Sequence, residues 1–330
     1  MTIELAEWQD ILRVLYDTYG IWSPGLDRSS YYYYVDRQMC HPWSRKNYRY
    51  LVYRQGKRIV ASLKLYTIEF FARGRTYKLA GLGAVFTQAE ERGLGYGSLL
   101  IKEIVELCRR EDYDGLFLFS DIGSEFYAKF GFQELSSHEF FIYPSKLANT
   151  AGYPALTSDV VPAGYPSQRV TPVELTHIPW LARHYQRWLR RQPYGVVRSE
   201  QYWSYKLNRE LYLHKYSQWQ WPLLEIVTIE SGPTNTGYAL IEQSVSTLRA
   251  LEVVGPEETQ LKLWQALVNL ALERKAWRIR GWESVAPQLP FLRPLYCFRE
   301  WGNPMILPLR TEIEDWTAVV PCPLLELDHL

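Results

Sequence analysis

Residues 85–98 read V-F-T-Q-A-E-E-R-G-L-G-Y-G-S, a strand that passes through a glycine-rich turn straight into a helix. Strand-forming residues end at Thr87, a polar hinge covers 88–91, and Arg92-Gly93-Leu94-Gly95-Tyr96-Gly97 leads into an amphipathic run. This order commits the chain to an α/β unit. Little side-chain bulk screens the amides of such a turn. At a helix N-terminus those N–H groups are unpaired and meet the positive end of the helix dipole. The result is a site for a phosphate anion, and Arg92 adds a permanent charge with fork geometry.

The glycine spacing decides which phosphate reader this is. A dinucleotide fingerprint, G-x-G-x-x-G/A, fails at Ser98, and no G-K-[ST] follows. The pattern [QR]-x-x-G-x-[GA] fits, read as Arg92, Gly95 and Gly97. A second motif follows one helix and one strand later: Phe126-Tyr127-Ala128-Lys129-Phe130-Gly131-Phe132, with a Y-x-x-x-G-F ending. The two in order resemble motifs A and B of the GNAT acetyltransferases. The resemblance implies that Arg92, Gly93, Leu94, Gly95, Tyr96, Gly97 and Ser98 cradle the pyrophosphate of acetyl-CoA. It implies that the strand at Val85, Phe86 and Thr87 splays from its neighbour, pairs with the pantetheine arm and supplies an amide to the thioester carbonyl. Tyr127 becomes the acid that protonates the leaving thiolate. A phenol of pKa about 10 can donate to a thiolate whose conjugate acid lies near about 8.5. Ser124, at the start of the same helix, is expected among the coenzyme-binding residues and is the nearest other hydroxyl in sequence. For the base that takes the amine proton, Asp36, His41 and Glu69 are candidates by chemistry alone.

Along the chain, periodicity predicts an amphipathic helix over 4–19, then a Tyr-rich segment of short helix and loops to Asn47. Tyr31–Tyr34 falls where the family places its acceptor-binding helix, and equally suits a surface loop. Strands are expected over 48–54, 59–71 and 77–87, with a buried stripe of Leu100, Ile104, Leu107 and Cys108 on the helix after Gly97. A buried strand covers 115–120, and a final strand closes this sheet near 139–143. Residues 146–169, with Pro154, Pro162 and Pro166, read as a linker. The same element order then returns: a helix over 177–191, strands over 223–229, 237–242 and 248–254, a turn at 231–235, a helix bearing Leu261, Trp264, Val268 and Ala271, and a strand over 277–281. Residues 292–300 stand in the place of motif B, and 305–309 close the second sheet. This is a repeat of about 140 residues in element order. In the second copy the turn is Val254-Gly255-Pro256-Glu257-Glu258-Thr259. Pro256 removes an amide, and two carboxylates stand where a phosphate needs positive potential.

The expected fold class is therefore α/β, with two tandem GNAT-like domains over 1–145 and 170–310, each a twisted mixed sheet flanked by helices. The second is degenerate, and a C-terminal tail spans 311–330. Such a pair resembles the acetyltransferases related to the enhanced intracellular survival protein, without that group's sterol-carrier-like third domain. In that group a C-terminal carboxylate serves as base, which places Leu330 among the candidates. With 37 Lys and Arg against 36 Asp and Glu, a net charge of +1 gives no long-range drive toward nucleic acid or membrane. The cysteines form no C-x-x-C pair and read as reduced thiols of a cytoplasmic protein. No metal site is expected, since the histidines lack chelating partners. Acids at 4 and 7 argue against a signal peptide. The expected activity is acetyl-CoA-dependent N-acetyl transfer to an amine of a small molecule or peptide, with homo-oligomerisation left open. The rival readings are a non-catalytic acyl-CoA-binding module or sensor and an aminoacyl or peptidoglycan-bridge transferase. The latter group lacks need of the pyrophosphate loop.

Overall fold

The computed structural model of the chain describes residues 2–147, 167–230, 237–289 and 292–330. Two mixed sheets, flanked by helices, organise it. The first runs, in spatial order, β1 (Thr2–Leu5), β2 (Tyr48–Gln55), β3 (Arg58–Ala72), β4 (Arg75–Thr87), β5 (Gly115–Ser120), β15 (Asn303–Pro308) and β6 (Gln133–Glu134). The second runs β8 (Ser167–Pro172), β10 (Leu224–Glu230), β11 (Tyr238–Ser244), β12 (Thr247–Val254), β13 (Arg278–Trp282), β7 (His138–Ile142) and β14 (Leu295–Phe298). A short β9 (Tyr194–Val196) pairs with β3. In each sheet one neighbouring pair is parallel, β4 with β5 and β12 with β13. The crossovers are the helices α4 (Tyr96–Arg110) and α9 (Glu257–Glu273). A helix pair follows the first strand of each sheet: α1 (Trp8–Trp22) with α2 (Arg28–Cys40), and α7 (Ile178–Leu189) with α8 (Glu200–Tyr216). The repeat read from element order thus extends to strand order and sense.

The closing strands are exchanged, which corrects the expected placement. β7, expected to finish the first sheet, lies between β13 and β14 of the second. β15, expected to finish the second, lies between β5 and β6 of the first. Side-chain burial explains both seats. Phe140 of β7 meets Trp264 of α9 edge-on, with ring centroids 5.6 Å apart. Met305 and Leu307 of β15 enter the core beneath α4 with Leu100, Ile104 and Cys108. Alternation along a strand reports which face is buried and not which sheet receives it.

Other differences are local. Residues 2–5 pair with β2, so the first helix begins at Trp8. There the Glu7 amide donates to Asp10 Oδ2 at 3.1 Å, closing a capping box. The Tyr-rich segment is one helix, α2, capped by Asp27, which accepts from the Ser30 amide at 2.8 Å. Tyr31 and Tyr34 are buried in it and Tyr33 is exposed. Residues 295–298 form the edge strand β14 and not a second motif B helix. The expected turn at 231–235 and most of the expected linker, 148–166, lie outside the described residues.

The last twenty residues pack into the body of the protein. Ile313, Trp316, Leu324, Leu325 and Leu327 are buried. Trp316 stacks on Tyr194 at 4.6 Å with nearly parallel rings. Leu325 and Leu327 join Leu251 and Val253 of β12 in one apolar cluster. Arg198 pairs with both Glu252 of β12 and Asp328. β12 needs this cover, because its ladder with β13 ends at Ala250 and Gly281.

Candidate active site

The first sheet has the same gap, and it is open. The β4–β5 ladder ends at the pair Leu82 and Leu118, while β4 runs on to Thr87. Gly83, Phe86 and Thr87 keep partners on β3 alone, and Ala84 and Val85 fall in the bulge between them, so the β5-facing edge has unpaired backbone groups. Buried backbone groups demand partners, and an extended ligand laid along this edge would supply them. Ala84 has φ +48° beside the irregularity in the β3–β4 register, which bends the strand at this point. Phe86 turns to the other side and packs edge-on against Trp22 at 6.0 Å.

The strand leads into the glycine turn over 92–97, followed at once by the 15-residue α4. Gly93 and Gly95 hold φ of +82° and +85°, values that glycine alone adopts without strain. The amides of Gly93, Gly95, Tyr96, Gly97 and Ser98 meet no acceptor among the described residues. Open space lies where Cβ atoms would stand at Gly93 and Gly95. At Gly97 a Cβ would come 3.0 Å from Thr87 Oγ1, so the helix start abuts the strand end. The Arg92 guanidinium bends back, with Nε donating to the Thr87 carbonyl at 3.3 Å. Glu91 is buried just before the turn and is held by Arg58 at 2.8 Å. Its charge is therefore countered by Arg58.

Tyr127 sits on a single helical turn, α5 (Glu125–Ala128), with its ring edge-on to Phe126 at 5.0 Å and Phe132 at 5.9 Å. Burial, and next the Asp121 carboxylate, push its phenol up to about 12. It stays protonated throughout the ordinary working range. No group among the described residues takes its hydrogen bond. Ser124 is half-buried at the helix start, with no side-chain cap bond.

Tyr127 and residues 83–85 line one cavity of about 760 Å³ between the two halves of the chain. Its walls include Tyr34 and Gln38 of α2, Lys64 and Tyr66 of β3, Lys206, Arg209 and Glu210 of α8, and His329 and Leu330. Leu330 lies flat over the sheet, and a Cβ at Gly81 would stand 2.5 Å from its Cδ1. Asp36, His41 and Glu69 do not line this cavity. Asp36 is met by the Cys40 thiol, His41 bonds Ser204 at 3.1 Å, and Glu69 is exposed on β3. The α8 residues escaped the sequence reading. Ser199, which accepts from the Tyr202 amide at 3.1 Å, was the cap signal that could have revealed that helix. The corresponding turn of the second half is differently built. Pro256 caps α9, its first turn holds Glu257 and Glu258, and residues 325–328 cover the strand end. Among the described residues no three His, Cys, Asp or Glu side chains are grouped to hold a metal ion. No described helix is long and apolar enough to cross a membrane.

Comparison with known proteins finds the same fold elsewhere. The fold is shared with a conserved protein of unknown function from Enterococcus faecalis (TM-score 0.68, 13% identity, 92% of this chain and 71% of that one). It is shared with a GCN5-related N-acetyltransferase from Anabaena variabilis (TM-score 0.66, 16% identity, 92% and 72%). Eis1 from Mycobacterium abscessus is similar over 80% of this chain and 65% of its own, with TM-score 0.53 and 14% identity. No match was found among curated proteins. The sequence model described as an acetyltransferase (GNAT) domain matches residues 2–135, and over that stretch the chain carries a GNAT N-acetyltransferase domain.

Proposed function

We propose that the chain is an acetyl-CoA-dependent N-acetyltransferase of the cytoplasm that acts on an amine of a small molecule or peptide. One observation carries the reading. The unpaired edge of β4 lines one cavity with Tyr127, and the same strand runs on into the bare amides of the glycine turn. Acetyl-CoA would supply the acetyl thioester. Residues 93–98 and Arg92 would hold its pyrophosphate, with Ser124 beside them, and residues 85–87 would pair with its arm and donate an amide to the thioester oxygen. Such a preorganised donor stabilises charge that develops on that oxygen. Tyr127 would give its proton to the departing sulfur. The first half alone would do this, because its counterpart strand end is filled by the chain itself.

Titration calorimetry with coenzyme A tests the assignment, and one coenzyme per chain is expected. Arg92→Ala is expected to weaken binding by about 1–3 kcal/mol, the weight of a charge-assisted contact. Gly97→Val is expected to abolish it, because the new side chain must displace Thr87, whose carbonyl also holds Arg92. Two coenzymes per chain would contradict the reading. Tight binding without turnover of any amine would instead support an acyl-CoA sensor.

A further inference from the structure

Five cations line the cavity, Lys64, Lys206, Arg209, Arg249 and Arg280, with the carboxylates of Asp121, Glu210, Glu242, Glu326 and the terminal Leu330, and three of the cations are engaged. Arg249 is paired with Glu242 and Glu326, and Arg280 with Glu139. Lys206 donates to the His329 carbonyl. Lys64 and Arg209 are different: no carboxylate lies within 4.0 Å of either among the described residues. Arg209 Nε is buried without a hydrogen-bond partner among the described residues. Glu210, next in sequence, turns to the Trp221 indole, which donates to it at 3.3 Å. The groups beside Arg209 are phenols, including Tyr34 and Tyr205, and burial raises both of them, so neither supplies an anion. Burial, then the nearby Arg209, push the Lys64 ammonium down to about 7. A buried charge left unpaired is costly, and a pair of like charges is more so. Proteins keep such groups where a ligand completes them.

The placement says which part of a ligand this would be. Lys64 stands directly opposite Gly83 in the β3–β4 ladder, at the start of the open edge. Neighbouring strands are about 4.8 Å apart, so a small molecule can reach both. Arg209 of α8 lines the same cavity, close enough for its charge to act on Lys64. We propose that the acceptor carries an anionic group besides its amine, a carboxylate or a phosphate, and that Lys64 and Arg209 hold this group while the amine faces the open edge of β4. This inference rests on the acyltransfer reading for the position of the amine. It excludes polycationic amines as good acceptors, since they would meet Lys64 and Arg209 with like charge.

Binding of defined probes to the full chain, saturated with coenzyme A, tests it by calorimetry. Phenylalanine is compared with phenethylamine, which lacks only the carboxylate, and O-phosphoethanolamine with ethanolamine. At least one anionic probe is expected to bind about tenfold or more tightly than its partner, as one charge-assisted hydrogen bond warrants. The pair that shows the preference identifies the anion. In Lys64→Met and in Arg209→Met the preference is expected to shrink to about threefold or less, with binding of the anion-free partner unchanged. Should Arg209→Met fail to fold, Lys64→Met, a change of similar length at a strand position, carries the test. Equal binding within both pairs, or a preference that survives both substitutions, overturns the proposal. Coenzyme A binding with no such preference sinks this inference alone, whereas absence of coenzyme A binding sinks the acyltransfer reading.

Discussion

Tyr127→Phe is expected to lower kcat by about 10²–10⁴-fold, the usual weight of a positioned general acid, or about 3–5 kcal/mol in barrier height. Coenzyme affinity should stay within about twofold of the parent, because the ring is retained and packing against Phe126 and Phe132 is unchanged. The melting temperature should move little for the same reason, and because the hydroxyl has no hydrogen-bond partner to lose among the described residues. The phenol stands near 12, so ionisation of Tyr127 should not shape the pH–rate profile below about pH 10. Single-turnover measurement of thiol release separates the proton step from product release. A variant that keeps full kcat would remove Tyr127 from the chemistry and leave it a packing residue between two phenylalanines. The proton would then come from water or from Ser124.

The strand, turn and helix over 85–98 were legible because each signal there is local. Strand-formers stop at Thr87, glycines take the left-handed positions at 93 and 95, and the apolar spacing after Gly97 has helical period. The repeat was legible for the same reason, since turns and periods recur in order. What escaped depends on long-range pairing. His138–Ile142 and Asn303–Pro308 each read as a closing strand, yet only three-dimensional packing assigns each to the other half's sheet. The far side of the cavity escaped more completely. It is built from α8 and the last residues, about 110 to 240 positions from the glycine turn. α8 buries Tyr202, Trp203, Tyr205, Lys206 and Leu207 nearly in succession, so no clean apolar stripe marks it. Asp36, His41 and Glu69 were chosen by chemistry without position, and position is what placed them elsewhere.

Arg198→Met is expected to destabilise the chain by about 3–5 kcal/mol, the cost of removing one partner from a buried ion network. The guanidinium is fully buried, pairs with Glu252 and with Asp328 at 2.8 Å, and lies under the Tyr185 and Trp203 rings at 4.1 and 4.8 Å. Glu252 also accepts from the Tyr238 hydroxyl at 3.0 Å. Without Arg198, two carboxylates would share an apolar site with no cation. The defect should ease as pH falls. Burial already holds the Glu252 carboxyl above its ordinary value with Arg198 present, and loss of the cation raises it further. A carboxyl raised in the folded state favours folding most below its unfolded value of about 4.3, and loses that contribution as pH rises through the folded value. The variant should therefore recover stability toward pH 4, measured as the denaturant midpoint, unless general acid unfolding intervenes first. The triple change Arg198→Met, Glu252→Gln, Asp328→Asn separates the network from simple packing, and it should restore much of the loss because no bare charge remains. A loss below about 1 kcal/mol in Arg198→Met, the range of surface pairs, would show that the network does not anchor the last residues. Those residues reach the cavity through His329 and Leu330. A loosened anchor should therefore weaken acceptor binding while leaving the glycine turn, and with it coenzyme affinity, intact.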